Sequence, residues 1–270
     1  MSPPIAPPPL PRPSVDAHTH LDMLDDPVDQ ALAAAAAAGI TTVVTVGCDV
    51  PSSVWAAQAA AARPDVYAAV AIHPNETATA ARSTAERDRV LAVLATLADL
   101  PQVRAVGETG LDYYRDHATP AVQQEWFRAH ISLAKQAGKA LMIHDRDAHD
   151  DVLRILAEEG PPEQVVFHCF SGDAAMAKQC AEAGYFMSFA GNVTFKNAQP
   201  LRDAVAAAPA ELLLAETDAP FLTPVPNRGK PNEPALTADT LRCLAEVKGL
   251  DLADLCDTVT ATAQRTFGPW

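Results

Sequence analysis
Eight short apolar runs punctuate this chain of 270 residues, each followed by a segment with helical spacing, and that alternation restricts the fold more than any other feature. The runs fall at 14–17, 40–46, 66–72, 103–107, 140–143, 165–167, 185–189 and 212–215, and the second, Ile40 to Val46, is almost wholly β-branched. Asp26 and Pro27 stand where they would cap and open a helix that Gly39 closes, and Pro51 opens another that ends near Ala62. After Thr119 and Pro120, Val122, Trp126, Ala129, Leu133 and Ala137 recur at steps of three and four until Gly138. Further helices are expected at 83–97, 148–159, 173–183, 199–208, 237–247 and 251–264. Strands joined by helices pair in parallel, because each crossover returns the chain to the same end of the sheet. Eight such units predict an α/β fold of one (β/α)8 TIM-type barrel over residues 14–270. No Gly-x-Gly-x-x-Gly turn follows the first strand to support an open dinucleotide-binding sheet.

Residues 1–13 are dense in proline and carry one arginine, so they read as a disordered or polyproline-like tail rather than a secretory leader. Thirty-four acidic residues against 20 basic ones give a formal net charge of −14, a field that opposes a polyanion and excludes a generic basic nucleic-acid clamp. The five cysteines, Cys48, Cys169, Cys180, Cys243 and Cys256, are odd in number and form no Cys-x-x-Cys pair. A disulfide framework and a thiolate zinc site are thereby disfavoured, and a reducing, cytoplasmic setting is expected. The alanine-rich stretches are broken by Gly39 and Arg63, so no membrane partner is expected. Nothing in the sequence sets the oligomeric state; a monomer satisfies it.

A barrel of this kind builds its reactive face from the C-terminal strand ends. Those ends carry His18 and His20, then His73, Glu108, His144 and His168, and finally Glu216-Thr217-Asp218. Strand side chains alternate, so His18 and His20 stand on one side and offer two imidazoles to one ion. Taken singly, each has a bland explanation: a histidine satisfying a backbone group, a carboxylate in an ion pair, an aspartate capping a helix. Their shared position on one barrel face instead predicts a metal site. Imidazole and carboxylate without thiolate suit Zn, Mn, Fe, Ni or Mg. Six donors, His18, His20, Glu108, His144, His168 and Asp218, exceed one tetrahedral shell, so two divalent ions are expected, performing a hydrolysis.

The strings around these donors are Asp16-Ala17-His18-Thr19-His20-Leu21-Asp22, Ala71-Ile72-His73-Pro74, Gly107 through Tyr114, Ile143-His144-Asp145-Arg146, Phe167 through Gly172, Glu216 through Pro220, and Arg228 through Pro234. Together and in this order, from about residue 15 to 235, they resemble the TatD family of metal-dependent deoxyribonucleases, a branch of the amidohydrolase-like barrels. The resemblance implies that His18, His20 and Asp218 hold one ion, His144 and His168 the other, and Glu108 bridges them. It further implies cleavage of phosphodiester bonds in DNA, often from a 3′ end. By analogy Asp218 accepts a proton from the attacking water, and His73 contacts the substrate phosphate or leaving group. Two departures stand out: Asn75, where many relatives carry a second histidine, and Pro231, where many carry a basic residue.

Arg146, Arg228 and Lys230 follow donor strands and are candidates for phosphate contact, arginine being suited to a bidentate grip, although each reads equally as a surface charge. Tyr113 and Tyr114 are placed to stack on a base or to pack on the barrel rim. Cys169, beside His168, reads as a small core residue rather than a nucleophile. Two divalent ions bring −14 only to about −10, so DNA ends or short phosphodiesters must be gripped locally. The alternatives are a barrel hydrolase of a small cyclic amide, lactone or ester, and a metal-stabilised scaffold without turnover.

Overall fold
Valine, isoleucine and alanine fill the strands, as strands covered on both faces require. The computed structural model describes residues 3–270, and in it eight strands form one sheet in chain order. They are β1 (Ser14–Thr19), β2 (Ile40–Val46), β3 (Val66–Val70), β4 (Val103–Asp112), β5 (Ala140–Arg146), β6 (Val165–Phe167), β7 (Phe186–Phe189) and β8 (Leu213–Ala215). β3–β4, β4–β5, β5–β6 and β7–β8 pair in parallel. The fold is the (β/α)8 barrel expected from the alternation, and no helix among the described residues is long and apolar enough to cross a membrane.

Close packing groups the chain into two compact units. One comprises the residues up to Val44 together with Cys169–Trp270. In it the helix Leu252–Phe267 packs on β1 and β8 and buries Leu255, Val259 and Ala263, while Thr237–Lys248 buries Leu241 and Leu244 beside it. The ends of β1 and β8 are tied: Asp218 N–H donates to the His18 carbonyl at 2.9 Å, and His20 N–H to that of Ala219 at 2.8 Å. The other unit is Thr45–His168. Its helix Pro120–Ala137 lies on β4 with Trp126, Phe127 and Ile131 buried, and Val50–Ala62 lies on β3 behind a capping box of Asp49 and Ser52.

Three expectations are corrected. Asp26 is not the cap: Pro27 itself is the N-cap of the helix Val28–Ala38, its carbonyl accepting from Gln30 N–H at 2.9 Å and Ala31 N–H at 3.1 Å, with no side-chain cap. β4 does not stop at Gly107 but runs on to Asp112. The tail, expected to be disordered or polyproline-like, is docked through its described residues, 3 onward, while Met1 and Ser2 lie outside the described residues. Ile5 N–H donates to Asn227 Oδ1 at 2.7 Å and its carbonyl accepts from Asn227 Nδ2 at 2.8 Å, Arg242 donates to the Pro8 carbonyl, and Leu10 is buried against Gly39. Proline removes backbone donors from this segment, so side chains of the barrel supply the pairing that a strand neighbour would otherwise give.

Candidate metal centre
In the unit holding β1 and β8, His18 and His20 leave the strand end with their Nε2 atoms 3.3 Å apart. Asp218 Oδ1 lies 3.6 Å from the first and 3.5 Å from the second. Donors about 2.1 Å from a common ion stand about 3.4 Å apart when tetrahedral, so this triangle has the edges of one face of such a shell. Neither histidine is more than 3% exposed and the Asp218 side chain is 15% exposed, so three ligand-competent atoms face one point at low exposure, an arrangement that suits a shared cation. Asp218 is brought there by a left-handed backbone, φ +52°, an unusual conformation for a non-glycine residue and one that marks a functional turn. Asp16, two residues before His18, braces the turn from beneath: its carboxylate accepts from Thr217 N–H at 2.9 Å and from Thr217 Oγ1 at 2.6 Å. Burial raises the Asp16 pKa to about 8 against those bonds.

In the unit Thr45–His168, Glu108 Oε2 is the centre of a second cluster. It lies 2.7 Å from His168 Nε2, 3.3 Å from His144 Nδ1 and 3.8 Å from His73 Nε2. His144 Nδ1 is 3.3 Å from His168 Nε2 and 3.4 Å from His73 Nε2. Burial works to raise the Glu108 pKa, but the adjacent His168, His73 and His144 outweigh it and hold the carboxylate well below its usual range. Glu108 is therefore held as an anion, buried among the three imidazoles.

Three imidazoles share this cluster, and their outer partners give them different tasks. His144 Nε2 lies 3.2 Å from Asp112 Oδ2, and in a neutral ring that donates its Nε2–H to this carboxylate the Nδ1 lone pair is left to face a cation. Burial lowers the His144 pKa, yet bonds to Asp112 and Glu108 prevail and the net shift is upward. His73 is the reverse: its Nδ1 accepts from Asn75 N–H at 3.0 Å, so in the neutral ring the proton sits on Nε2. His144 thus presents a ligand atom to the cluster, and His73 presents an N–H donor. Asn75 Nδ2 also donates to Asp112 Oδ2 at 3.0 Å and joins the two histidine supports.

Asp112, Asn75, Asp16 and His130 were assigned no role from sequence. Asp112 has a sequence signal: it lies four residues beyond Glu108 and, once β4 is continued, on the same face. Its carboxylate is held below the usual range: burial opposes this, but bonds from His144 and Asn75 prevail. Of the substrate candidates, Arg146 stacks over Tyr114 at 3.8 Å, Arg228 stacks over Phe195 at 4.1 Å, and Lys230 lies half-buried in the Arg228 loop. Tyr113 is committed to structure, its hydroxyl donating to Asp151 Oδ2 at 2.7 Å and accepting from Gln124. Tyr114 is 64% exposed.

The sequence model of a family described as TatD related DNase matches residues 15–268. The chain belongs to the TatD family. A metal-dependent hydrolase named TatD from Mycobacterium tuberculosis, described as uncharacterised, is 47% identical over 263 residues, covering 94% of this chain and 97% of that relative. YabD of Bacillus subtilis, likewise described as an uncharacterised metal-dependent hydrolase, is 38% identical over 93% of this chain and 98% of its own. Among solved structures, the Escherichia coli TatD homologue YJJV superposes with a TM-score of 0.88 at 26% identity, covering 95% of this chain and 98% of that one. This TatD protein is thus a metal-dependent hydrolase of TIM-barrel fold. The donor chemistry of both clusters, all imidazole and carboxylate, fits divalent ions.

Proposed function
We propose that the TatD protein is a two-metal deoxyribonuclease that removes nucleotides from the 3′ end of single-stranded or frayed DNA, in which His18, His20 and Asp218 would hold one ion and Glu108, His144 and His168 would serve the other. The observation that supports this reading is the spacing of buried or nearly buried imidazole and carboxylate donors, 2.7–3.6 Å between the atoms assigned as ligands within each cluster. A pair of divalent ions in such a site contributes Lewis-acid activation of water and neutralises phosphoryl charge. The Asp218 carboxylate is only 15% exposed yet open enough to accept a proton from attacking water. His73 directs its Nε2–H towards the cluster and is suited to donate to a phosphate oxygen or the leaving oxygen. Arg146, Arg228 and Lys230 supply cations for the flanking phosphates. The net charge of −14 limits the grip to one or two phosphates at an end rather than a duplex track.

End-labelled single-stranded DNA, with divalent metal supplied or chelated, tests this against Glu108→Ala. Metal-dependent shortening from the 3′ end, lost in the variant, is expected. Hydrolysis of small lactones or esters with no turnover of DNA would reassign the site to small-molecule chemistry.

A further inference from the structure
The loop after β8 carries an aromatic side chain that folding leaves unused. Phe221 is 52% exposed although its backbone is held at both ends. Its N–H donates to the Asp218 carbonyl at 2.8 Å, and its carbonyl accepts from Nδ2 of the buried Asn232, which also donates to the Thr217 carbonyl. The ring stands edge-on to His20, centroids 6.3 Å apart at 72°, so it lies directly beside the donor triangle. The following residues are packed so tightly that a Cβ on Gly191 would collide with the Leu222 carbonyl oxygen. Seven residues after Phe221, Arg228 is exposed and braced on the Phe195 ring. One pinned loop therefore presents a bare aromatic face beside the metal ligands and a guanidinium further along, the pairing of base platform and phosphate contact by which proteins hold single strands.

We propose that Phe221 is the stacking platform for the base of the terminal nucleotide, an assignment that rests on the phosphodiesterase reading above. A phenyl ring offers no hydrogen bonds, so the contact reads the presence of a base and not its identity. An intact terminal base is favoured over an abasic one, with little preference among the four bases.

The test uses three oligonucleotides of one sequence, ending in a normal nucleotide, a tetrahydrofuran abasic residue or 2-aminopurine, with wild type, Phe221→Ala and Phe221→Trp. Wild type is expected to favour the normal end over the abasic end by about 5- to 150-fold in kcat/KM, the range of one aromatic–base stack. In Phe221→Ala that ratio falls to near one, and in Phe221→Trp it returns. Independently of turnover, 2-aminopurine fluorescence is quenched when the metal-stripped wild type binds and is not quenched by Phe221→Ala. Equal cleavage of normal and abasic ends by wild type, or full discrimination surviving in Phe221→Ala, overturns the platform while leaving the phosphodiesterase intact. Failure of wild type to shorten any of the three overturns both.

Discussion

His130 lets the coupling between fold and site be tested through stability alone. It lies in the helix Pro120–Ala137, fully buried, and ties Ile72, next to His73, to Thr109, next to Glu108. Its Nε2 accepts from Ile72 N–H at 3.2 Å, while Nδ1 lies 2.8 Å from the Trp126 carbonyl and 3.0 Å from Thr109 Oγ1. The acceptor role of Nε2 requires a neutral ring. Burial accordingly lowers the His130 pKa from 6.5 to about 4, against a small opposing pull from the Trp126 carbonyl. Above pH 6.5 the imidazole is neutral in both native and unfolded states and contributes no pH dependence. Below it, the unfolded chain takes up a proton that the native state refuses until about pH 4, so stability falls as pH falls through that window and levels beneath it. A separation of about 2.5 pH units at 1.36 kcal/mol each makes a loss of about 3 kcal/mol.

Urea unfolding in chelator, from pH 7 to pH 4, isolates this contribution when wild type is compared with His130→Leu. At pH 7 the variant should be weaker by about 1–3 kcal/mol, because the Ile72 N–H loses its acceptor in a buried setting. Other titrating groups act alike in both proteins, so the difference between the two curves reports on His130. The gap should close by about 3 kcal/mol on going to pH 4, bringing the curves together or past one another. Curves that stay parallel from pH 7 to pH 4 would refute a neutral, proton-refusing His130.

Asp112→Asn removes the anion that orients His144, and should weaken divalent-ion affinity by about 10- to 100-fold in competition with a fluorescent chelator; unchanged affinity counts against the assignment. Deleting residues 1–10 strips the buried Leu10 and leaves the Asn227 amide without Ile5, so the protein should lose about 3 kcal/mol, read from the urea midpoint; an unmoved midpoint would show the tail to be idle. For single-stranded ends gripped by one or two phosphates, log K should fall against log salt with a slope of about −0.7 to −1.4, and a slope near −4, as for six phosphates, would contradict local binding.

The barrel was readable because its signals are local. β-branched runs such as Ile40–Val46, and stops such as Gly39 and Gly138, both with positive φ, act within a few residues. The placement of the six candidate donors on or just after strands was readable because the alternation fixes where each strand runs. The course of β4 was not, and its glycines explain why. Gly107 and Gly110 look like breaks in sequence, but a Cβ on Gly107 would meet Met142 and one on Gly110 would meet the His144 carbonyl, so each marks a place where β5 presses close. Between Val106 and Thr109 the register shifts, and that irregularity holds Glu108 while the strand continues to Asp112. Only contact with β5 distinguishes such a strand from a turn. The docked tail was hidden for a similar reason, since its partners Asn227 and Arg242 lie more than two hundred residues away.

His73 and His144 show the limit most clearly. Both are strand-end histidines whose facing nitrogens lie 3.4 Å apart, and sequence alone separates them only by resemblance. Their proton placement separates them physically. A backbone N–H two residues on takes the His73 Nδ1 lone pair, and the proton left on Nε2 makes that ring a donor. A carboxylate on the continued strand accepts from His144 Nε2–H, and the neutral ring is then left with an Nδ1 lone pair suited to a cation. Asn75 touches both arrangements, its N–H donating to His73 and its side-chain amide to the Asp112 carboxylate that faces His144. The residue that looked like a departure from the family is therefore well suited to its place: an asparagine there supplies a neutral donor to Asp112, where a protonated histidine would compete with His144 for the same carboxylate.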